Sequence, residues 1–246
     1  MTGRISANVS NPVSACRPTV AVCGRGGTGR DTMARALRDR LGVDALGPGE
    51  DTDTLAAADL LLYLLVGTVR AADVELLAHL PADRTVVVLG KADTCDDPDA
   101  AAAAAATVLG RPVLPVSALL ACAEVTAAEW DFLRELAAAG EQMPSLSGRF
   151  LTGAERTLRR RLLRRLDRLG IEIALDVAAD RAAGVDDLTA ILQAESGIAG
   201  LGARITAMLP RVAAARARDR RAELEYRAAA GADRDRAERL LRVAAV

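Results

Sequence analysis

Residues 19–31 read TVAVCGRGGTGRD, a short apolar run that leads through four glycines into a charged segment. The apolar run predicts a buried strand at 19–23, because β-branched residues favour strands. The glycines predict a tight turn, since glycine adopts positive φ without steric cost. A helix is predicted to follow over 30–41. Strand, turn and helix in this order begin the βαβ unit from which parallel sheets are built.

The same alternation continues along the next hundred residues. Further strands are predicted at 60–66, 85–89 and 112–116, and helices at 69–79, from Asp97-Pro98 onward and at 126–138. Continuous apolar strands that alternate with helices predict a parallel sheet with both faces covered. We therefore expect an α/β domain over residues 17–143, preceded by a flexible N-terminal segment at 1–16.

Strand signals end after residue 146, and an all-α region follows. Helices are predicted at 153–169, 171–181, 186–194, 197–209 and 212–241. The expected breaks lie at Gly170, Gly184, Ser196-Gly197, Pro210 and Gly231, because glycine and proline interrupt helices. This pattern predicts a C-terminal helical domain over 144–246, separated from the α/β domain near 140–148.

Charge divides the chain in the same place. Residues 1–145 carry 12 basic and 19 acidic residues, whereas residues 146–246 carry 20 and 14.

The four cysteines have no paired metal spacing, so we expect reduced thiols and no metal site. The longest apolar run, at 60–66, is too short to cross a bilayer. These features, with the alanine- and arginine-rich composition, predict a soluble bacterial protein of the cytoplasm.

The glycine-rich turn is a candidate phosphate-binding loop. Gly24 and Gly29 match the spacing of the motif G-x-x-x-x-G-K-[ST], but Arg30 takes the place of the lysine and Asp31 that of the hydroxyl residue. Backbone N–H groups and the helix N-terminus could still hold phosphate. The alternative, a tight connection between strand and helix without a ligand, stays open. The candidate phosphate-binding residues are Gly24, Gly26, Gly27, Thr28, Gly29, Arg30 and Asp31.

The only lysine of the chain, Lys91, follows a predicted strand in the sequence Gly90-Lys-Ala-Asp93. Ser117-Ala-Leu119 follows the next predicted strand. Together with the glycine-rich turn, these motifs resemble the P-loop GTPases of the translation-factor-related class, which includes Era-like and dynamin-like proteins. The resemblance implies that Asp93 accepts hydrogen bonds from guanine and that Lys91 lies along the base. It also implies that the loop of Ser117, Ala118 and Leu119 reads the guanine carbonyl, and that GTP or GDP is the ligand. Gly90 departs from the asparagine of the family.

The parts that the family uses for hydrolysis are altered. Leu46-Gly-Pro-Gly49 resembles the family D-x-x-G with leucine in place of the aspartate, and Asp44-Ala-Leu-Gly47 is a competing alignment. On either alignment the first switch and its strand are missing. Phosphoryl transfer needs a metal ion, a positioned water and charge stabilisation. We therefore expect neither Mg²⁺ binding nor rapid GTP hydrolysis, and we assign no catalytic residue.

The first helix of the C-terminal region is rich in arginine. Its leucines recur at steps of three and four residues and predict a core-facing stripe. The arginines then cover a solvated face or meet the acidic α/β domain. A surface for an anionic partner, formed by Arg160, Arg161, Arg164 and Arg165, is the alternative. The lack of interleaved aromatic residues disfavours nucleic acid.

The sequence thus predicts a degenerate GTPase-like protein. Its leading interpretation is a pseudo-GTPase that binds guanine nucleotide weakly or not at all and regulates or completes a protein partner, such as a competent GTPase or another copy of the chain. The first alternative is an active but unorthodox GTPase, with missing groups supplied by a dimer partner. The second is a helical adaptor at the inner membrane face, held by its arginine-rich helix.

Overall fold

The structure, a computed structural model, describes residues 17–47, 58–231 and 234–243, so the predicted flexible segment 1–16 lies outside the described residues. The strands are β1 (Thr19–Gly24), β2 (Asp44–Leu46), β3 (Leu60–Leu65), β4 (Thr85–Gly90) and β5 (Val113–Val116). The helices are α1 (Arg30–Leu41), α2 (Ala71–Ala78), α3 (Pro98–Leu109), α4 (Ala118–Ala121), α5 (Ala127–Ala138), α6 (Ser147–Phe150), α7 (Arg156–Ala179), α8 (Val185–Glu195), α9 (Ile198–Ala229) and α10 (Arg234–Val243).

The five strands form one parallel sheet in the order β2-β1-β3-β4-β5. This arrangement confirms the predicted α/β class with a parallel sheet and a helical C-terminal region. Strand β2 is not among the predicted strands, because three residues are too short for a periodic signal. It pairs with β1 in the register Thr19 opposite Asp44 and Ala21 opposite Leu46.

Both faces of the sheet are buried under helices. Successive side chains of each strand point to opposite faces, so each strand contributes to both. On one face, Leu62 and Leu64 of β3 share an apolar cluster with residues of α1 and α9. On the other, Tyr63 and Leu65 pack with residues of α2 and α3. The continuous apolar run of β3 thus serves two cores at once.

Helix α9 is continuous through Pro210, so the break predicted there is wrong. Proline inside a helix removes one backbone hydrogen bond. However, Met208 and Val212 on either side of it are buried in the cluster beneath the sheet, whereas Pro210 is exposed. Packing on both sides of the proline holds the helix together. The same contacts join the predicted helical region to the sheet, and the division at 140–148 stays a prediction.

Helices α5, α7 and α8 build a further apolar cluster around Leu120 of α4. Helix α7 is interrupted by a kink, but at Asp167 and not at the predicted Gly170, which lies within the second helical segment. A Cβ on Gly170 would lie 2.8 Å from Leu120 Cδ2, which shows that the glycine serves close packing. The backbone departs from helical geometry at Asp167 instead, with φ 54° and ψ −166°.

Candidate functional site

Three loops meet at the carboxyl ends of the strands. Residues 24–29, the glycine loop, follow β1; residues 90–94, the lysine loop, follow β4; and residues 117–119, the serine loop, follow β5. The chain places β2 on one side of β1 and β3 on the other, so the sheet order reverses beside β1. Ligands of open α/β sheets bind in the crevice at such a reversal.

A cavity of about 260 Å³ lies between these loops. Half of its lining consists of predicted site residues, namely Thr28, Gly29, Lys91, Asp93, Ala118 and Leu119. The other half was not among the predicted site residues and consists of Thr32, Met33, Leu64, Gly90, Thr94 and Asp167. The predicted residues outside the lining are Gly24, Gly26, Gly27, Arg30, Asp31 and Ser117. The structure therefore brings four of the five predicted guanine-binding residues to one cavity, but only two of the seven predicted phosphate-binding residues.

The glycine loop has a fixed shape. Gly24 has φ +136°, and a Cβ on it would lie 2.5 Å from the carbonyl oxygen of Leu64, so only glycine fits. The hydroxyl of Thr28 donates to the carbonyl of Arg25 at 2.8 Å and closes the loop. Gly29, with φ +91°, then opens helix α1. Positive φ at Gly24 and Gly29 and the Thr28 hydrogen bond thus fix a tight connection between β1 and α1.

A buried carboxylate that the sequence analysis missed anchors this loop. Asp73 is fully buried, and its Oδ1 accepts hydrogen bonds from Arg25 Nε at 2.7 Å and from the Tyr63 hydroxyl at 2.8 Å. Burial alone would raise the pKa of Asp73, but the hydrogen bonds from the Arg70 N–H, Tyr63 and Arg25 outweigh it and lower the pKa. Burial, with the Asp73 carboxylate beside it, raises the pKa of Tyr63. A polar residue in an amphipathic helix gives no sequence signal for such a network.

Leu46 and Asp44, the two positions that the sequence analysis aligned with the aspartate of the family D-x-x-G motif, both lie in β2. Leu46 packs in a small apolar cluster with Ala21 and Leu61. Asp44 lies opposite Thr19, at the amino end of β1, so the competing alignment places its aspartate away from the site. Asp31 Oδ1 lies 3.8 Å from the position of a Cβ on Gly47. A carboxylate therefore stands between the first turn of α1 and the end of β2. Pro48 and Gly49 lie outside the described residues.

In the lysine loop, the Lys91 side chain is exposed and one carboxylate oxygen of Asp93 is buried. Lys91 is exposed, with φ +56°, and its carbonyl accepts from the Thr94 N–H at 3.0 Å and the Thr94 hydroxyl at 2.7 Å. Asp93 Oδ1 is buried and has no hydrogen-bond partner within the described part of the chain. A buried oxygen without a partner carries the cost of its lost hydration. The loop therefore presents an acceptor that a ligand could satisfy.

The structure explains why glycine occupies position 90. A Cβ there would lie 2.6 Å from Leu64 Cδ1, in the space where the family asparagine begins. Leu64 is buried and lines the cavity. A side chain at position 90 would therefore require Leu64 to move.

Ser117 holds the serine loop in place without lining the cavity. Its hydroxyl accepts from the Leu120 N–H at 3.2 Å and caps α4, and its N–H donates to the carbonyl of Ser196 at 2.9 Å. Ala118 and Leu119 then fall in the first turn of α4, where N–H groups have no partner within a helix. Both residues line the cavity.

The four arginines of the predicted anionic-partner surface differ in their contacts. Glu129 of α5 is fully buried, and its carboxylate lies 3.4 Å from Arg165 Nη1 and 4.0 Å from Arg161 Nε. Arg160 and Arg164 are exposed. The neighbouring Arg159 is buried, pairs with Glu141 and stacks on Phe150 at 4.8 Å. Part of the arginine row therefore faces the acidic N-terminal region.

Comparison with known proteins does not assign the chain to a family. No protein-family model and no curated protein matches the chain. The parallel sheet with its helices is compatible with a P-loop-like α/β fold. Within residues 17–47, 58–231 and 234–243, no helix is long and apolar enough to cross a membrane.

Proposed function

We propose that the protein is a pseudo-GTPase that binds a guanine nucleotide by its base and acts through a protein partner. One observation carries the proposal. Asp93 lines the cavity together with Ala118 and Leu119 of α4, and its buried Oδ1 has no hydrogen-bond partner in the described part of the chain. A carboxylate and the first turn of a helix thus border one small volume.

The hydrogen-bonding pattern favours guanine over adenine. Asp93 supplies an acceptor for the imino and amino donors on one edge of guanine, whereas the N–H groups of Ala118 and Leu119 supply donors for its carbonyl. Adenine offers an acceptor where guanine offers the imino donor, so it would leave Asp93 unsatisfied. The aliphatic stem of Lys91 at the rim can cover one face of the base.

The phosphate end supports binding without hydrolysis. Asp31 brings negative charge to the first turn of α1, which disfavours phosphate and competes for the positive end of the helix dipole. Leu46 packs in an apolar cluster and supplies no ligand for a metal ion. Rapid phosphoryl transfer without a held metal lacks its main source of charge stabilisation. We therefore expect weak nucleotide binding and no turnover.

The exposed arginines favour an acidic protein as the partner. Arg160 and Arg164 lie exposed on the same helix that pairs through Arg161 and Arg165 with Glu129. Steering by such a charged face depends on ionic strength. A partner that binds here would contact α7, whose Asp167 lines the nucleotide cavity.

Isothermal titration with GDP, GTP, ADP and ATP, with and without Mg²⁺, tests the proposal. We expect guanine nucleotides alone to bind, with no gain from Mg²⁺ and no release of phosphate. Asp93→Asn should shift the preference towards xanthine nucleotides, and the exposed neighbour Asp96→Asn serves as the matched control. Absence of guanine-nucleotide binding, or Mg²⁺-dependent multiple turnover, would overturn the proposal.

A further inference from the structure

We propose that Asp167 is a second specificity-determining residue of the cavity, and that it accepts a hydrogen bond from the donor edge of the base beside Asp93. This inference rests on the proposed function. Asp167 belongs to the arginine-rich helix α7, far from the three loops in sequence, yet it lines the same cavity.

Helix α7 consists of two helical segments that meet in a kink at Asp167. Buried residues lie on both sides of the kink, with Leu162 and Leu166 before it and Gly170 and Ala174 after it. The residue at the kink itself lines the cavity, so the irregular backbone coincides with the point where α7 reaches the site.

The backbone conformation of Asp167 is itself unfavourable. The combination of φ 54° and ψ −166° lies outside the left-handed region that aspartate tolerates and in one populated almost only by glycine. Residues held in such conformations concentrate at functional sites. An aspartate at a position that favours glycine points to a use for its carboxylate.

Helix α7 packs against two of the three loops that surround the cavity. The helix packs beside residues 92–94 of the lysine loop and beside α4, which follows the serine loop. Gly170 allows this approach, because any Cβ there would meet Leu120. Asp167 thus reaches the end of the cavity where the base is proposed to lie, rather than the glycine loop.

The chemistry of the carboxylate then defines the ligand. Asp167 Oδ1 accepts from the N–H of Arg168 at 2.7 Å, and a carboxylate has a second oxygen for a further donor. Two aspartates in one small cavity repel an anion but suit a neutral edge with several donors. We infer a purine with an exocyclic amino group beside its imino group, with the phosphates outside this part of the cavity.

The test compares guanosine with inosine, which lacks the exocyclic amino group. The wild-type protein should prefer guanosine, and Asp167→Gly should reduce this preference by roughly tenfold to a hundredfold, as expected for a hydrogen bond to a charged group. If Asp167 only shaped the helix, both affinities would fall together and their ratio would not change. Asp176→Asn, at an exposed position of the same helix, controls for charge.

Thermal unfolding of the same variants separates a contact from damage to the fold. Glycine accepts the backbone geometry at 167, so Asp167→Gly should keep or raise Tm while it lowers guanosine affinity. Asp167→Ala also removes the acceptor and provides a second variant if the glycine variant does not fold. Wild-type binding of guanosine with an unchanged ratio to inosine in these variants would overturn this inference and leave the proposed function standing. Absence of any guanosine or guanine-nucleotide binding by the wild-type protein would overturn both.

Discussion

The two ends of the predicted nucleotide site differ in what the chain provides. At the base end, a buried Asp93 oxygen, the first turn of α4 and the stem of Lys91 surround a small volume. At the other end, Arg30 and Asp31 stand where a phosphate-binding loop would have lysine and a hydroxyl, and Leu46 is packed among apolar side chains. Recognition of a base and transfer of a phosphoryl group need different residues. On the proposed function, this chain keeps the first set and lacks the second.

The largest expected effect concerns the anchor of the glycine loop. Asp73→Ala leaves Arg25 and Tyr63 without their buried partner, so the free energy of unfolding should fall by about 3–5 kcal/mol. Chemical denaturation measures the change, and Glu75→Ala, at an exposed position of the same helix, is the control. A loss no greater than that of the control would show that the network does not hold the loop.

The same network predicts a dependence on pH. The folded protein lowers the pKa of Asp73 below its ordinary value of 3.8. The contribution of this carboxylate is therefore complete above that value and is lost as the pH falls through the lower folded pKa. Denaturation of the wild-type protein and Asp73→Ala at a series of acidic pH values should show a difference that shrinks only below about pH 4. A constant difference down to pH 2 would contradict the assignment.

A smaller effect tests whether the side chain of Leu64 excludes a side chain at position 90. Gly90→Asn should cost about 1–3 kcal/mol, because its Cβ overlaps the side chain of Leu64. The double variant with Leu64→Ala has room for the asparagine, so the two changes should be less costly together than the sum of their separate effects. Gly26→Asn, at a position where a Cβ meets nothing within 4 Å, controls for the loss of glycine. Strict additivity would show that Leu64 does not exclude the asparagine.

The smallest effect concerns charge at the phosphate end. Asp31→Ser removes a carboxylate near the path of the phosphates, and we expect GDP affinity to rise roughly fivefold. Guanosine affinity should not change, since guanosine carries no phosphate. Titration of both ligands measures the difference, and the exposed Asp39→Ser near the other end of α1 is the control. An equal rise for guanosine and GDP would place Asp31 at the base end instead.

Much of the fold follows from local sequence patterns. The long strands β3 and β4 are continuous apolar runs, and helix α1 begins and ends at the predicted residues. The errors fall where tertiary contacts outweigh local signals. Pro210 is a helix breaker in isolation, but burial of the residues around it keeps α9 continuous, whereas α7 kinks at Asp167 instead of at the predicted Gly170.

The candidate site was only partly predictable, for a related reason. Lys91, Asp93 and Ala118 stand in short motifs at strand ends, so their meeting follows from the parallel sheet. Asp73 and Asp167 belong to helices and reach the site through packing between distant segments. No spacing along the chain marks such residues, because what distinguishes them is burial and backbone geometry.

The most direct test of the difference between the two ends is the affinity of the protein for guanosine, GMP, GDP and GTP, measured by isothermal titration with and without Mg²⁺. If the base end carries recognition, all four ligands bind with similar affinity, and Mg²⁺ changes none of them. An affinity that rises by orders of magnitude with each added phosphate and requires Mg²⁺ would contradict the account.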